Sequence, residues 1–557
     1  MQSAKHTPDG GWAAEWRDVS VRYPYAHHDA VGPASLKLVV GERLLLLGPS
    51  GSGKSTLLSA LTGLVPQTIP ARVGGSISLF GEDVWTRQPA QWATTVARFF
   101  QDAALTLCGM RVEDEIAFAL ENRALPEDVI ATKVTAAMAE VGLPKDWRKR
   151  RTGTLSGGEK QLVALAATLA QGAPLFVADE PTAHLAPAAA TRLHQILMAR
   201  GAARTVLIID HRLDGLIGSV DRVAVLGSDG RIFAEGPPAS FFRDHHDELD
   251  SLGIWLPLAS RLDAALRRAG LAAPEPSLTM EHVLRNLDRH PERERAQPLI
   301  EAFVAEHSAA PDPSDGEVVA RLIGADCAPL FGPAVLKEIS VEIRAGECLG
   351  ILGANGAGKS TLGASLAGLL RLKGGRRQGA PGAIAFQNSE NQFVTGSVRD
   401  EIVAALDRAS PVPERLSEAD RIAASWNLAG LECLHPFELS QGQKRRLALA
   451  TLTATDRWRL LVLDEPTAGL DAHGASMVSA QVEKILDDGR AVAVITHDMD
   501  LALRLCHRSI IVGEGRILAE GRTAELLQDR DLLARAGLAE PTIAPALRWL
   551  DHVGATC

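Results

Sequence analysis

GPSGSGKST, at Gly48–Thr56, and GANGAGKST, at Gly353–Thr361, both fit the glycine-rich pattern GxxxxGK[ST]. An apolar run precedes each stretch, at Leu44–Leu47 and at Cys348–Leu352, and leucines at helical spacing follow it. Glycines in such a loop let successive backbone N–H groups turn toward a phosphate at the N-terminus of the helix. The sequence therefore predicts two strand–loop–helix units that bind phosphate, within an α/β fold.

The residue types in these loops predict how each loop holds a nucleotide. The amines of Lys54 and Lys359 would neutralise the β- and γ-phosphates, and the hydroxyls of Ser55 and Ser360 would bind Mg²⁺. The predicted nucleotide-binding residues of the two loops are Gly48, Ser50, Gly51, Gly53, Lys54, Ser55 and Thr56, then Gly353, Asn355, Gly356, Gly358, Lys359, Ser360 and Thr361.

The two loops belong to an internal repeat. Later motifs also occur twice and in the same order: LSGGEKQ from Leu155 and LSQGQKR from Leu439, LFVADEPTAHL from Leu175 and LLVLDEPTAGL from Leu460, IIDH up to His211 and VITH up to His497. The repeat predicts a first domain over residues 1–274 and a second over 316–557. Residues 275–315, rich in proline and charge, are expected to be a linker with a short helix around Leu278–Leu287.

Two acidic residues follow one another where an apolar run ends in each copy. Asp179 and Asp464 are placed to hold a metal ion through its water shell. Glu180 and Glu465 come next and are placed to polarise an attacking water as general bases. An Asp-Glu pair is commonly a solvated turn, but its position between the two later motifs in both copies favours catalysis.

Composition limits the possible functions of the 557-residue chain. The net charge of −10 argues against a nucleic-acid-binding protein, whose usual surface is basic. The six cysteines form no CxxC pair, and the pairs His27–His28 and His245–His246 lack the spacing of metal ligands, so surface histidines are the better interpretation. There is no apolar run of about 18 residues, so a membrane role would require a partner.

With these motifs the chain resembles tandem ABC ATPases over about residues 12–270 and 318–550. The resemblance implies two P-loop NTPase domains, each with a helical signature subdomain, that bind ATP and Mg²⁺. It also implies head-to-tail packing, in which Ser156, Gly157 and Gly158 face the nucleotide on Lys359, and Ser440 and Gly442 face the nucleotide on Lys54. By the same resemblance, Gln101 and Gln387 contact metal and water, and His211 and His497 sense the γ-phosphate.

An aromatic side chain in each copy is a candidate for stacking on adenine. Tyr23 lies upstream of the first glycine-rich loop at a spacing that suits this role. Phe331 is the nearest candidate in the second copy, at a slightly different spacing. The alternative for both is that the aromatic side chain is part of the hydrophobic core.

The segments RVEDEIAFALENRALP, after Gln101, and TGSVRDEIVAAL, after Gln387, resemble those of energy-coupling-factor importers of vitamins and metal ions. This resemblance implies a transmembrane coupling subunit, a membrane substrate-binding subunit and a place on the cytoplasmic face of the cell membrane. Arginines of the coupling subunit would dock near these segments, on four acidic side chains: Asp114, Glu115, Asp400 and Glu401. The alternative is that these acids are solvated and favour the first turn of a helix.

Two other kinds of tandem ABC protein remain open, a ribosome-bound translation factor and a sugar-importer ATPase. The mixed charge of DRHPERERAQ, at residues 288–297, contrasts with the strongly basic insert of the first kind. Two departures from the family pattern, Gln441 in the second signature and Ala186 where the second copy has Asp471, predict unequal ATP sites. Because Gln441 would disturb the site of Lys54, we expect the site of Lys359 and Glu465 to be faster.

Overall fold

The computed structural model describes residues 11–101, 106–182, 185, 187–199, 204–309, 316–407 and 409–554. The chain forms two compact units, and the division along the sequence falls between Val283 and Leu284. Within the described ranges, none of the helices is long and apolar enough to cross a membrane.

The described residues of the first unit form ten strands and the helices up to α10, the helix in which the division falls. The strands are β1 Trp12–Arg22, β2 Val31–Val39, β3 Arg43–Leu47, β4 Arg72–Leu79, β5 Glu82–Asp83, β6 Val96–Phe99, β7 Leu175–Asp179, β8 Thr205–Ile209, β9 Arg222–Leu226 and β10 Ile232–Gly236. The helices are α1 Lys54–Leu61, α2 Leu64–Gln67, α3 Val112–Glu121, α4 Glu127–Val141, α5 Gly157–Ala170, α6 Pro187–Leu197, α7 Pro238–Asp244, α8 His246–Ser251, α9 Leu258–Arg268 and α10 Met280–Asp288.

A six-stranded sheet of order β10-β9-β3-β8-β7-β6 is the centre of this unit, and a four-stranded antiparallel sheet of order β2-β1-β4-β5 lies beside it. All neighbours in the larger sheet are parallel except β9 and β10. Strand β3 is apolar from Leu44 to Leu47 because both of its faces are covered. Leu45 and Leu47 pack in one core, and Leu44 and Leu46 pack in another. The carboxyl ends of β3, β6, β7 and β8 therefore meet at one edge of the sheet.

The second unit repeats this architecture. Its strands are β11 Val318–Cys327, β12 Leu336–Arg344, β13 Cys348–Leu352, β14 Gly374–Gly379, β15 Gly382–Ala385, β16 Leu460–Asp464, β17 Ala491–Thr496, β18 Arg508–Gly513 and β19 Arg516–Arg522. Its helices are α11 Gln297–Glu306, α12 Lys359–Ala367, α13 Val398–Ala405, α14 Val412–Ser425, α15 Gln441–Thr453, α16 Ala472–Asp487, α17 Met499–Leu505, α18 Thr523–Leu526, α19 Arg530–Arg535 and α20 Ala544–Gly554.

The six-stranded sheet of the second unit has the order β15-β16-β17-β13-β18-β19, and a smaller sheet has the order β12-β11-β14. Three helices pack together in each unit, α3, α4 and α5 in the first and α13, α14 and α15 in the second. These are the helical regions that contain the two signature motifs.

Residues 275–315, expected to be a linker with one short helix, contain α10 and also α11. Their apolar side chains explain the difference, because Leu284, Leu287, Ile300 and Phe303 are buried. Helical spacing of these residues gives an apolar face, which the proline and charge content concealed. The domain boundaries themselves stay a prediction.

Candidate functional site

The two glycine-rich loops join β3 to α1 and β13 to α12. Gly53 and Gly358, the residues before these helices, have φ angles of 92° and 96°. A Cβ atom on Gly53 would lie 2.0 Å from the carbonyl oxygen of Ala30, so only glycine fits there. Neither helix has a side-chain cap or an acidic residue in its first turn. Its first N–H groups are therefore available to an anion, which fits a nucleotide phosphate.

A lysine opens each of these helices and is held by its own loop. Lys54 Nζ donates to the carbonyl oxygens of Gly48 and Pro49, at 2.8 and 2.9 Å. Lys359 Nζ donates to the matching carbonyls of Gly353 and Ala354, at 2.8 and 3.0 Å. Burial lowers the pKa of Lys359, and the neighbouring carboxylates of Glu465 and Asp464 oppose that change. The two ammonium groups thus occupy the same fixed place in both units.

The serine after each lysine lies beside a buried aspartate, which ends strand β7 in the first unit and strand β16 in the second. Ser55 Oγ donates to Asp179 Oδ1 at 3.1 Å, and the guanidinium of Arg98 lies 3.6 Å from Asp179 Oδ2. Burial raises the pKa of Asp179, although Ser55 and Arg98 counteract it. Burial also raises the pKa of Asp464, against a hydrogen bond from Ser360. Each unit therefore places a hydroxyl and a buried carboxyl together.

Glu180 lies in a strained turn directly after β7, with φ of 46°, and its N–H donates to the carbonyl of Ile209 at 2.8 Å. Two side chains contact its carboxylate: Gln101 Nε2 at 2.6 Å and His211 Nε2 at 2.9 Å. Burial acts to raise the pKa of Glu180, but the hydrogen bond from His211 prevails, and the pKa is below its ordinary value. The structure thus brings three predicted residues together around an ionised carboxylate that can accept a proton from water.

Glu465 occupies the equivalent turn, with φ of 50°, but has different partners. Thr496 Oγ1 donates to its Oε2 at 3.0 Å, and the backbone N–H of His497 donates to its Oε1 at 3.2 Å. The ring of His497 also contacts Oε1, through Nδ1 where His211 uses Nε2. Burial acts to raise the pKa of Glu465, and His497 lowers it below its ordinary value. Gln387, by contrast, has an exposed side chain that the described structure does not bring to Glu465.

The signature motifs form the N-termini of α5 and α15. Ser156 caps α5 in a reciprocal pair with Glu159, and Ser440 caps α15 in the same way with Gln443. Gln441 is the first residue of α15, and its side chain is exposed. The roles predicted for Ser156, Gly157, Gly158, Ser440 and Gly442 stay predictions. Ala186 lies outside the described residues.

The aromatic candidates differ in their surroundings. Tyr23 is half-buried, and its hydroxyl lies 3.1 Å from Thr56 Oγ1 in the helix that follows the first loop. Phe331 is exposed. Val21 pairs with Val31 at the end of β1, and Cys327 pairs with Leu336 in the same way, so the second unit has Pro329 where the first has Tyr23. Stacking on adenine stays a prediction for Tyr23 and Phe331.

Sequence reasoning did not identify a buried cluster beside the first site. Asp210, the residue before His211, accepts hydrogen bonds from Thr182 Oγ1 at 2.7 Å and from the backbone N–H of Arg212 at 3.0 Å. His194 Nε2 of α6 lies 3.0 Å from its other oxygen. The second copy has Thr496 at the position of Asp210, and this mismatch between two otherwise similar motifs was the available signal.

The acids proposed to dock a partner need a correction. The carboxylate of Glu115 is buried and accepts the N–H groups of Cys108 and Gly109, at 2.8 and 2.6 Å. Glu401 is buried too, and accepts the N–H groups of Val394 and Thr395. Glu115 and Glu401 therefore anchor the preceding loops and are not available to arginines of another protein. Asp114 accepts the N–H of Arg111 at the start of α3, at 3.1 Å. In α13 the cap is Ser397, which accepts the N–H of Asp400 at 3.1 Å and donates to Asp400 Oδ2 at 2.7 Å.

The chain matches the ABC transporter family model over residues 31–183 and 336–468. It is 32% identical over 561 residues to a "Putative ABC transporter ATP-binding protein" of Methanosarcina acetivorans, covering 96% of this chain and 89% of that protein. It is also 32% identical over 541 residues to the "Putative HMP/thiamine import ATP-binding protein YkoD" of Bacillus subtilis, covering 93% of each. The solved structure of RNase-L Inhibitor is 19% identical with a TM-score of 0.58, covers 94% of this chain and 93% of its own, and supports the fold alone.

These findings confirm the predicted fold class, two P-loop NTPase domains in tandem, and the predicted enzyme class. The chain belongs to the ABC transporter family and is an ATPase that binds ATP in its two ABC domains.

Proposed function

We propose that this chain is the ATP-hydrolysing subunit of an energy-coupling-factor importer, which carries a vitamin or a transition-metal ion across the cytoplasmic membrane. Its partners would be a transmembrane coupling subunit and a membrane substrate-binding subunit. The observation that carries the proposal is similarity over nearly the whole length to YkoD, a protein named for HMP/thiamine import. That name makes HMP and thiamine the first substrates to test.

A surface feature of both units supports a protein partner. Exposed apolar side chains lie beside the segment that follows each predicted glutamine: Met110 is 73% exposed and Phe118 is 48% exposed in the first unit, and Val394 is 82% exposed in the second. Apolar side chains grouped on a surface are typical of a binding site for another protein or a membrane. Because Glu115 and Glu401 are buried, we assign docking to these apolar residues.

We further propose that Mg²⁺ accompanies ATP in each site. The residues present fit this ion, because Ser55 Oγ and Asp179 Oδ1 lie 3.1 Å apart and are oxygen atoms of the kind that Mg²⁺ prefers. Ser360 and Asp464 would hold the ion in the second unit. The ion would supply positive charge to the phosphate oxygens. In the same proposal, Gln101 and Gln387 orient water, and ATP is enclosed between a glycine-rich loop and a signature.

The test combines capture from membranes with ATP hydrolysis. The tagged chain is purified from detergent-solubilised membranes of the source cells, and co-purifying proteins are identified by mass spectrometry. A multi-span membrane protein should be recovered with the wild type and lost with Met110→Asp plus Val394→Asp, while basal ATP turnover persists. Arg457→Gln serves as the control, because it changes an exposed side chain outside the two segments under test.

Transport is then measured with the recovered complex in lipid vesicles. ATP-dependent uptake of HMP or thiamine, and its loss in the double aspartate variant, would support the proposal. Sedimentation of the chain with ribosomes and not with membranes would contradict it and favour the translation-factor alternative.

A further inference from the structure

Arg445 of α15 forms hydrogen bonds both to the segment after β15 and to the turn that contains Glu465. Its guanidinium donates to the carbonyl oxygens of Phe386, at 2.5 Å, and Gln387, at 3.3 Å, which follow β15. It also donates to three successive carbonyls at the end of β16 and directly after it, those of Asp464, Glu465 and Pro466. The side chain is buried, with 2% of its surface exposed. One cation thus holds the backbone of Gln387 to the backbone of the predicted general base.

The first unit has a shorter side chain at this position of its signature helix. Gln161, seventh in LSGGEKQ as Arg445 is in LSQGQKR, is also buried. Its Nε2 donates to the carbonyl of Pro181 at 3.1 Å, the counterpart of the Arg445 bond to Pro466. An amide has fewer donors and less reach than a guanidinium. Gln101 is close enough to Glu180 for a side-chain hydrogen bond in this unit.

Two further contacts hold the segment after Gln387 against α15. Lys444 Nζ pairs with Glu390 Oε1 at 2.6 Å, and Gln392 Nε2 donates to the carbonyl of Ala448 at 3.0 Å. With Arg445, these contacts tie residues 386–392 to the signature helix at three places. A segment tied in this way keeps the Gln387 side chain outward.

The carboxylate of Glu465 is itself engaged by groups that belong to the end of β17. Thr496 donates a hydroxyl, and His497 donates its N–H and contacts Glu465 with its ring. Glu180 instead contacts two side chains, Gln101 and His211, and the His211 side chain is 26% exposed against 7% for His497. Side chains that face solvent can reorient around a water more readily than groups fixed in the core.

We propose that Arg445 is a positioning residue that locks the glutamine segment of the second unit to its catalytic turn, and that the second ATP site therefore hydrolyses more slowly than the first. This inference rests on ATP hydrolysis by the chain and not on the proposed transport function. It reverses the order of the two sites expected from Gln441 alone.

The cost of moving Gln387 inward explains the lock. Any rotation of the backbone at Phe386 and Gln387 would remove two acceptors from a buried guanidinium, and an unsatisfied buried charge is strongly disfavoured. Burial lowers the pKa of Arg445 to about 10, so the group is still a cation at neutral pH. Glutamine at this position would offer fewer donors to those carbonyls, and Gln161 of the first unit donates to the carbonyl of Pro181.

The test exchanges the two residues, with one general base removed so that a single site is observed. Glu180→Gln leaves hydrolysis to the second unit, and adding Arg445→Gln should raise its kcat by about tenfold, the effect of one hydrogen bond to a charged group. Glu465→Gln leaves hydrolysis to the first unit, and adding Gln161→Arg should lower its kcat by about the same factor. KM for ATP should change little, because the phosphate loops are untouched. Arg457→Gln is the exposed control.

Hydrogen exchange distinguishes positioning from loss of folding. Arg445→Gln should speed amide exchange in residues 386–392 while the melting temperature of the second unit shows a folded protein. If Arg445→Gln does not fold, the Gln161→Arg arm alone decides. Unchanged kcat in either folded variant, or a fall with Arg445→Gln, would overturn the proposal.

Discussion

At the residue scale, the two sites differ most at the position before the catalytic histidine. Thr496 donates directly to Glu465, whereas the carboxylate of Asp210 points to Thr182 and His194. The charge of Asp210 acts to raise the pKa of Glu180, and Thr182 and His194 form hydrogen bonds with the Asp210 carboxylate. The motifs that end at His211 and His497 are therefore similar in sequence, but different hydrogen bonds hold the turns of Glu180 and Glu465.

Removal of the Asp210 charge should destabilise the first unit. Burial acts to raise the pKa of Asp210, but the hydrogen bonds from His194, Arg212 and Thr182 prevail, and the pKa is below its ordinary value. A carboxyl with a lowered pKa contributes stability above its ordinary pKa, and that contribution is lost as pH falls through the lowered value. Asp210→Asn should therefore cost about 1–3 kcal/mol near neutral pH, and less once the pH falls below the ordinary pKa of an aspartate.

Denaturant unfolding of Asp210→Asn and wild type, from about pH 7 down to about pH 2, measures this difference on both sides of the ordinary aspartate pKa. Asp244→Asn, an exposed substitution in the same unit, is the control. A difference that stays constant with pH would show that the carboxylate charge is not what the cluster stabilises.

At the scale of single elements, the apolar runs and glycine patterns predicted most of what forms the site. Local sequence predicted three parts of each unit: strands β3 and β13, helices α1 and α12, and the Asp-Glu turns at the ends of β7 and β16. The environment of Glu115 did not, because the pattern of acids in the first turn of α3 shows which residues are charged and not which one a loop covers. Arg445 was missed for the same reason, since its partners come from two distant strands.

The buried carboxylate of Glu115 should order the loop before α3. It accepts the N–H groups of Cys108 and Gly109. Glu115→Ala should therefore speed amide exchange at these two residues and destabilise the unit by about 1–3 kcal/mol, because two N–H groups lose their acceptor. Asp128→Ala, at the exposed first turn of α4, is the matched control for removal of an acid.

Exchange mass spectrometry of wild type and the two variants gives the answer. Equal protection of Cys108 and Gly109 in wild type and Glu115→Ala would mean that other contacts hold the loop.

At the scale of the whole molecule, the chain is one architecture built twice and then changed unequally. Each unit has its own phosphate loop, lysine, aspartate, glutamate and histidine. The repeat made this organisation predictable, but the helical content of 275–315 was hidden by its prolines and charges. The account requires that both units bind nucleotide, since each presents an uncapped helix N-terminus after a glycine-rich loop.

Steady-state phosphate release from ATP by the purified chain tests this central claim most directly. Lys54→Ala with Lys359→Ala removes both phosphate clamps, so the double variant should lose turnover by a factor of about 10² or more. Each single variant should retain folding and lose affinity for one nucleotide. Phosphate release by the folded double variant at the wild-type rate would contradict the assignment of ATP hydrolysis to these two loops.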